Sequence, residues 1–243
     1  MDKATLRTTV WDDLESSGAA RFPFPPHGRI PNFDDATAAA ERLAATPEWA
    51  AADAVKANPD APQLPVRRRA LREGKTVYMA VPRLRDEECF YELDPARIDD
   101  EHLDSAPTVS HVETYADTVG PDALPPIDLV VSGSVAVSET GARVGKGEGF
   151  SDLEYAVLRG LGAVTAETTV ATTVHERQVR DDLPEPDAHD VPMDFVVTPD
   201  RLVRTETPYP RPEGIDWGAL PDERLDEMPV LRRLRDESGA VGE

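Results

Sequence analysis

One segment of the chain concentrates the residue types that bind phosphate. It runs from Gly141 to Asp152 with the sequence GARVGKGEGFSD, in which glycines at positions 141, 145, 147 and 149 surround Arg143 and Lys146. Glycines allow several backbone N–H groups to face one anion, and the two basic side chains add full positive charges. The segment therefore predicts a phosphate-binding loop. The alternative is a glycine-rich turn that carries two solvated cations.

The last residue of this segment predicts a metal site. Mg²⁺ bound to phosphates is held by one or two carboxylates together with substrate oxygens, and Asp152 offers such a carboxylate. A helix cap is the alternative role for Asp152, and the two roles are compatible. The glycine spacing matches neither the P-loop pattern G-x-x-x-x-G-K-[ST] nor the dinucleotide pattern G-x-G-x-x-G, so the segment by itself does not name the ligand.

Two other segments carry candidate binding residues. Lys3 and Arg7 lie one turn apart on a predicted first helix, where a solvated helix face is the alternative. Val55–Gln63 runs from a predicted strand into a proline-bounded loop and contains Lys56 and Asp60. Ligands of open parallel sheets bind at such strand ends, so we expect substrate contacts there. An ordinary strand–helix connection is the alternative.

Several other chemistries are disfavoured by the residue types present. Cys89 is the single cysteine, which excludes an internal disulfide and a multi-cysteine zinc site. His175 and His189 each precede an acidic residue, but neither has a second histidine at helical spacing. The segment Ser132–Ser134 lacks the second glycine of a nucleophile elbow. We therefore expect neither a zinc enzyme nor a serine hydrolase.

The charge balance indicates the salt concentration in which the protein works. The chain of 243 residues has 47 Asp and Glu against 26 Lys and Arg, a net charge of −21, and only four of the cations are lysines. An acidic, lysine-poor surface is expected in a cytoplasm at molar salt, where a Debye length of ~3 Å screens self-repulsion. We expect a halophilic, cytoplasmic protein with neither a nucleic-acid nor a membrane partner, because no basic stripe and no long apolar run occurs. The sequence predicts no oligomeric state.

Helices and strands must bring these segments together. Helices are predicted over residues 2–17, 34–46, 150–161 and around 222–235, and strands over residues 54–57, 76–81, 127–137, 168–174 and 195–197. Helical segments alternating with valine-rich strands favour an α/β fold with three layers, α/β/α, around a mainly parallel sheet. Residues 86–124 are predicted to be irregular. We expect one domain over 1–243, with 205–243 as a C-terminal extension packed on it.

Taken in chain order, the segments resemble the 5-formyltetrahydrofolate cyclo-ligases, also called methenyltetrahydrofolate synthetases. The family's K-x-x-x-R corresponds to Lys3 and Arg7, and its loop G-x-R-x-G-x-G-x-G-Y-Y-D-R corresponds to Gly141–Asp152. Three further segments are similar to family motifs: Gly74–Pro82 to G-K-x-x-x-x-P with two extra residues, Asp128–Val137 to a strand led by D-L, and Leu183–Asp194 to L-P-x-E-x-H-D-x-P-x-D.

Departures from these motifs make the chain look closest to the divergent branch called methenyltetrahydrofolate synthetase domain-containing proteins. Phe150 and Ser151 stand where the family has paired tyrosines, and Leu153 stands where it has an arginine. The family's pterin-contacting glutamate is absent between residues 53 and 72, where Asp60 is a shorter substitute. The substrate of this branch need not be the family's substrate.

The resemblance implies a fold similar to that of sugar-phosphate isomerases and CoA transferases, with ATP, Mg²⁺ and a reduced folate as ligands. In the family's reaction ATP phosphorylates the formyl oxygen of 5-formyltetrahydrofolate, N10 attacks the activated carbon, and loss of phosphate leaves 5,10-methenyltetrahydrofolate. The implied catalytic residues are Arg143 and Lys146, the implied magnesium ligand is Asp152, and the implied folate contacts are Lys56, Asp60 and Phe150. The implied ATP-binding residues are Lys3, Arg7, Arg143, Gly145, Lys146, Gly147, Glu148, Gly149, Phe150 and Asp152.

Two other functions stay open at this point. A nucleotide- or folate-binding protein without turnover is favoured by the altered residues at positions 150, 151 and 153. A sugar-phosphate isomerase rests on analogy of fold alone.

Overall fold

Twelve strands and eight α-helices form the part of the chain that the structure describes. The computed structural model describes residues 1–240, with side chains for all of these except residues 222 and 238–240. The strands are β1 (Ala20–Arg21), β2 (Asn32–Phe33), β3 (Ala54–Ala57), β4 (Thr76–Ala80), β5 (Phe90–Leu93), β6 (Asp117–Val119), β7 (Leu129–Val131), β8 (Ala136–Val137), β9 (Arg143–Val144), β10 (Thr169–Thr173), β11 (Phe195–Val197) and β12 (Leu202–Arg204). The helices are α1 (Lys3–Ser16), α2 (Ala36–Ala44), α3 (Pro47–Ala51), α4 (Leu64–Arg72), α5 (Val112–Tyr115), α6 (Phe150–Gly160), α7 (Asp222–Glu227) and α8 (Pro229–Ala240).

The main sheet has eight strands in the order β12-β11-β10-β7-β3-β4-β5-β6. Its five central strands, from β11 to β4, are parallel, and the strands beyond them on both sides are antiparallel. The chain proceeds from β3 to β4 in one direction and then from β7 to β11 in the other, so the strand order reverses between β3 and β7. Ligands of open α/β sheets bind at the carboxyl ends of the strands beside such a reversal.

Both faces of this sheet are covered by helices. Alternate residues of a strand point to opposite faces: Leu129 and Val131 pack in the cluster that contains α2, α3 and α4, whereas Val130 packs in the cluster that contains α6 and α8. The three-layer α/β/α prediction with a mainly parallel sheet is therefore confirmed. Across the described chain, no helix combines the length and the apolar composition that crossing a membrane requires.

The first helix covers the carboxyl ends of the strands rather than a face of the sheet. The Asp2 side chain caps α1 by accepting hydrogen bonds from the backbone N–H groups of Ala4 and Thr5. Leu6, Val10 and Leu14, spaced by four residues, then pack in one cluster with residues of the small β8–β9 sheet. Strand β9 is part of the glycine-rich segment Gly141–Asp152, called the glycine loop from here on, so α1 and the loop lie on the same scaffold.

Two predicted features are wrong. The single strand expected over residues 127–137 is two strands, because the chain leaves the main sheet at residues 132–135 and β8 then pairs with β9 in a separate sheet. Residues 86–124, expected to be irregular, contain β5, α5 and β6. The buried residues of β5 stand among acidic neighbours that hide them in the sequence, and β5 is fixed by antiparallel pairing with β4.

The segment after β12 packs along α6 and the sheet. Arg211 donates to the Asp194 carboxylate and to the carbonyls of Ala166 and Thr168, which ties the proline-rich part to the strand β10 region. From α8, Val230 and Leu231 are fully buried in the same cluster as α6. The predicted extension over 205–243 therefore makes extensive contacts over its described part, and its last three positions lie outside the described residues.

Candidate active site

A cleft of about 320 Å³, here called the main cleft, lies at the carboxyl ends of β3, β4 and β7. Its walls come from the loop after β3, the turn after β4, the glycine loop and the first turn of α6. Among its polar lining residues are Asn58, Asp60, Arg83, Arg143, Lys146 and Glu154. The cleft therefore occupies the point of strand-order reversal, and the glycine loop and the loop after β3 meet there.

The glycine loop contains three glycines with positive φ, Gly141, Gly147 and Gly149, and the last two lie next to the cleft wall. Gly147 has a φ of +105°, and a Cβ added there would lie 3.2 Å from the Arg7 guanidinium. Gly149 has a φ of +73° and begins α6 without a side-chain cap. The first backbone hydrogen bond of α6 runs from Leu153 N to the Gly149 carbonyl, so the N–H groups of residues 150–152 have no acceptor within the helix. These donors and the positive helix end lie along the cleft wall.

Arg7 supports the loop from behind. Its Nε donates to the Gly145 carbonyl at 2.7 Å, a contact between α1 and the loop across 138 positions of sequence. Neither Arg7 nor Gly147 is a lining residue of the main cleft, whereas Gly145, Lys146, Glu148, Gly149 and Phe150 are. The first helix thus fixes the loop conformation.

Arg143 and Asp152 form a partly buried ion pair in the cleft wall. The Arg143 Nη2 donates to both carboxylate oxygens of Asp152 at 2.9 Å, and its Nη1 donates to the Gly133 carbonyl at 3.0 Å. The Asp152 Oδ1 also accepts a hydrogen bond from Val191 N at 3.0 Å. Arg143 is only 5% exposed, and its Nε has no partner among the described residues. The pair joins the loop after β7 to the start of α6.

Lys146 and Asp60 face the main cleft from opposite loops. The Lys146 ammonium lies 2.7 Å from Glu148, and about a third of its side chain is exposed. Burial raises the pKa of the Asp60 carboxyl, although the positive charges of Lys146 and Arg67 act in the opposite direction. Asp60 is therefore easier to protonate than an ordinary aspartate, while Lys146 keeps its charge accessible to a ligand.

Lys56 lies behind the cleft wall. The side chain is 1% exposed and its ammonium donates to Glu154 and to Asn58 Oδ1. It is not a lining residue of the main cleft, whereas its partner Glu154 is. The predicted folate contact of Lys56 thus has no direct path in this geometry, and the lysine is part of a buried ion pair beneath the cleft.

The loop after β3 is held by one buried arginine. Arg67 on α4, which is 1% exposed, donates to the carbonyls of Asn58, Pro59 and Asp60 within that loop. Burial lowers the pKa of Arg67, and the Asp60 charge offsets part of this shift. Because three successive carbonyls converge on one guanidinium, the loop that carries Asp60 has a defined conformation.

Lys3 does not reach the main cleft. Its ammonium donates to Asp187 at 2.7 Å and to Asp190 at 2.5 Å. Burial alone would lower the pKa of Lys3, but these two hydrogen bonds outweigh it and the pKa is raised. Asp187, His189 and Asp190 also place potential metal-ligand atoms within 4.8 Å of one another, and the Lys3 ammonium binds both carboxylates and offsets one of their two negative charges.

The last two helices complete one side of the site. A second cleft of about 230 Å³, the side cleft, lies between α6 and residues 214–224 and shares Glu148, Gly149 and Asp152 with the main cleft. The mouth, a third open cleft, is lined by Arg83, Glu148, Phe150, Pro221, Glu223, Arg224 and Glu227. Arg224 on α7 lies over the Phe150 ring, with 4.8 Å between guanidinium carbon and ring centroid. The C-terminal segment therefore borders the predicted phosphate loop.

The structure brings most predicted residues together and adds others. Arg143, Lys146, Asp60 and Phe150 line one cleft, whereas Lys3, Arg7 and Lys56 stand behind or beside it. Glu154, Asn58, Arg83 and Arg224 are not among the predicted residues. The strand-end pattern in Val55–Gln63 contains Asn58 and could have indicated it, but no local signal distinguishes Arg83 or Arg224 from the other arginines.

A model of the 5-formyltetrahydrofolate cyclo-ligase family matches residues 2–199 of this chain. The methenyltetrahydrofolate synthase domain-containing proteins of Bos taurus and Homo sapiens are 41% and 38% identical to it over 244 residues. Both alignments cover 100% of this chain but 64% and 63% of those proteins, so the chain spans just under two thirds of their length.

One solved structure shares the fold. The NMR structure of Aquifex aeolicus 5,10-methenyltetrahydrofolate synthetase has a TM-score of 0.54 to this chain at 19% identity, and the match covers 86% of this chain and 96% of that one. Helices α7 and α8 lie beyond the residues that the family model matches. With four fifths of the sequence and the ordered motifs in agreement, the chain belongs to the 5-formyltetrahydrofolate cyclo-ligase family, a family of ligases.

Proposed function

We propose that this protein catalyses the ATP-dependent conversion of 5-formyltetrahydrofolate to 5,10-methenyltetrahydrofolate, or the same reaction on a related reduced folate. The observation that carries the proposal is the convergence of the glycine loop, the start of α6 and the loop after β3 on one cleft at the strand-order reversal. Phosphoryl transfer depends mainly on positioning and on neutralisation of charge, and this cleft offers both.

The phosphates of ATP are assigned to the glycine-loop side. Lys146 supplies an accessible ammonium, and the N–H groups of residues 150–152 supply donors at a positive helix end. Arg143 holds the loop after β7 against α6 and carries positive charge into the wall. Arg7 acts from behind by fixing the Gly145 carbonyl. In this assignment Arg143 and Lys146 neutralise the charge that develops during transfer.

The reduced folate is assigned to the opposite side, with its formyl group towards the phosphates. Asp60 stands on a loop fixed by Arg67 and is easier to protonate than an ordinary aspartate, because burial raises the pKa of its carboxyl. A carboxyl of this kind accepts a hydrogen bond from the amino group of a pterin when ionised and donates one to a ring nitrogen when protonated. Phe150 offers an aromatic face at the same cleft.

A magnesium ion fits the residues present in part. Asp152 is the candidate ligand; its Oδ1 accepts two hydrogen bonds, whereas its Oδ2 accepts one and has a remaining lone pair. With one carboxylate ligand, the ion would take its other ligands from phosphate oxygens and water. When bound, it would neutralise phosphate charge, as the positively charged side chains of Arg143 and Lys146 would also do.

Binding without turnover is the second candidate. It is supported by the ion pairs that engage Asp152 with Arg143 and Lys3 with Asp187 and Asp190, because charges satisfied within the protein are less available to a reaction. The sugar-phosphate isomerase hypothesis has no comparable observation in its favour.

The four lysines support the cytoplasmic, high-salt setting as part of the proposal. Lys56 and Lys75 are buried, and Lys3 and Lys146 are in ion pairs, so each lysine makes a specific contact while arginines supply the other surface cations. The assays below therefore use molar KCl.

The direct test is turnover. Purified protein with MgATP and 5-formyltetrahydrofolate should accumulate the methenyl product, followed by its absorbance, with release of ADP and phosphate in equal amounts. Lys146→Ala should slow the reaction strongly, while Arg42→Gln, a charge change on the remote helix α2, should leave it unchanged. Tight binding of both ligands without product would refute the ligase proposal and support the second candidate.

A further inference from the structure

Two arginines at the mouth of the main cleft, Arg83 and Arg224, have no carboxylate partner among the side chains that the structure describes. Most arginines of this acidic chain lie within 4.0 Å of an aspartate or glutamate side chain, as Arg72, Arg204 and Arg233 do. Arg83, in contrast, makes no hydrogen bond or ion pair with any residue that the structure describes. Arg224 donates to a carbonyl, that of Glu148, at 2.7 Å. In a chain with a net charge of −21, unpaired guanidinium groups at a cleft indicate a ligand anion.

The position of Arg224 is fixed by two contacts. Its guanidinium lies over the Phe150 ring, and its Nη2 bonds the Glu148 carbonyl at the end of the glycine loop. A guanidinium has five N–H donors in a planar fork, so this one bond leaves most of them available. Helix α7, which carries Arg224, is connected to α8, whose buried residues join the core. The arginine is thus held at the mouth by the fold.

The position of Arg83 is fixed by its backbone. Residues Pro82–Leu84 form a tight turn after β4, in which Arg83 has a φ of +62° and Leu84 a φ of +50°. The left-handed region is unfavourable for both residue types, so tertiary contacts must hold the turn. Leu84 is 1% exposed and supplies that anchor, while Arg83 lines both the main cleft and the mouth. Arg83 can therefore contact a ligand that extends from the main cleft into the mouth.

We propose that Arg83 and Arg224 together bind an anionic group, a carboxylate or a phosphate, on a ligand whose body lies in the main cleft. This proposal rests on the proposed function, which supplies its two ligands, a nucleotide and a reduced folate. Both carry such a group: the phosphate chain of the nucleotide and the glutamate carboxylates of the folate. Guanidinium groups bind either anion through paired N–H donors.

The glutamates of the mouth limit anion binding to groups that contact the two arginines directly. Glu148 is neutralised by Lys146 at 2.7 Å, while Glu223 and Glu227 also line the mouth and are not within 4.0 Å of either guanidinium. The two guanidinium charges and the charges of Glu223 and Glu227 cancel, so the local field has no general preference for anions, and affinity depends on hydrogen bonds made at contact distance. Such bonds persist in molar salt, where longer-range attraction is screened.

The test compares ligands that differ only in the anionic group. ATP is paired with adenosine, which lacks the phosphates, and 5-formyltetrahydrofolate is paired with 5-formyltetrahydropteroate, which lacks the glutamate. Each is titrated calorimetrically in molar KCl into wild type, Arg83→Gln, Arg224→Gln and Arg224→Lys. Arg42→Gln is the matched control, because Arg42 also donates to a carbonyl, that of Pro199, and lies far from the cleft along the sheet.

We expect each neutral variant to bind one intact ligand roughly five- to tenfold more weakly than the wild type does, while the truncated form of that ligand binds as before. The pair that shows the loss identifies the anion, and Arg224→Lys should recover part of it. Arg83→Gln removes no hydrogen bond or ion pair among the described residues, and unchanged urea unfolding of this variant would show that its effect on binding does not come from loss of the fold. Affinities equal to wild type in both neutral variants, or equal losses for intact and truncated ligands, would overturn the inference. Absence of methenyl product from the wild type would overturn the proposed function and leave these binding differences standing.

Discussion

The buried pair of Lys56 and Glu154 yields the sharpest quantitative prediction. Lys56→Met leaves the Glu154 carboxylate without its cation in a site where the two side chains are 1% and 6% exposed. The folded variant avoids an unpaired buried charge by keeping Glu154 protonated. For an ordinary glutamate, which titrates near pH 4.3, holding that proton costs about 4 kcal/mol at pH 7 and about 1 kcal/mol at pH 5.

The double variant Lys56→Met/Glu154→Gln provides the reference, because it contains neither charge. Replacing both members of a buried pair is often close to neutral, so we expect this variant within about 1 kcal/mol of the wild type. The free energy of unfolding of Lys56→Met should then be up to about 4 kcal/mol lower than that of the double variant at pH 7. The gap should shrink as the pH falls, since the folded single variant binds one more proton than its unfolded chain.

Urea unfolding in molar KCl, followed by the fluorescence of the buried Trp49, measures these differences at pH 7 and pH 5. Equal stability of the single and double variants at pH 7 would refute the reasoning, because it would mean that Glu154 stays ionised without Lys56. The same proteins test the predicted folate contact of Lys56. A double variant that is stable yet fails to bind the folate would show that the ligand depends on Lys56 or on the cleft-lining Glu154.

Three further predictions concern the cleft wall. Lys146→Ala should weaken ATP binding about tenfold but change stability by less than about 0.5 kcal/mol, because its ion pair with Glu148 is partly exposed; unchanged ATP affinity in a titration would contradict this. Asp60→Asn should raise the melting temperature at pH 7, with a gain that vanishes as the pH falls towards about 4. Burial raises the pKa of Asp60, so its ionised form costs stability above that range, and a variant that melts lower at pH 7 would contradict the sign. Arg143→Met should lose about 3 kcal/mol in urea unfolding, because the Asp152 carboxylate and a buried carbonyl lose their donors; a loss below about 1 kcal/mol would contradict it.

The parts of the fold that sequence reasoning predicted are those with local signals. Helix α6 follows from its apolar spacing, and β3 and β11 follow from short valine-rich runs between loops. The strand expected over residues 127–137 is wrong because continuous apolar composition gives no sign that residues 132–135 leave the sheet. Strands β5 and β6 depend on antiparallel pairing at the sheet edge, which no local pattern encodes.

The same distinction applies to the site. The glycine loop and Asp60 stand in segments whose composition already indicates ligand binding, and the roles assigned to them remain predictions. Glu154 faces the cleft because of the direction in which α6 leaves the loop, and Lys56 turns inward to meet it across 98 positions of sequence. Arg224 reaches the loop from 76 positions away. Contacts of this kind follow from tertiary packing, so they become visible only in three dimensions.

The hydrogen bond from Arg7 to the Gly145 carbonyl has a consequence for the folding of the newly synthesised chain. Helix α1 is synthesised more than a hundred residues before the loop that it supports, and Arg224 on α7 is synthesised later still. The ligand site can therefore be complete only when both α1 and α7 have docked on the loop. A ligand that binds this assembled site opposes separation of α1 and α7 from the loop, so at one hundred times its dissociation constant it would stabilise the whole protein by about 2.7 kcal/mol. Protection of α1 and α7 from proteolysis would then report occupancy of the cleft.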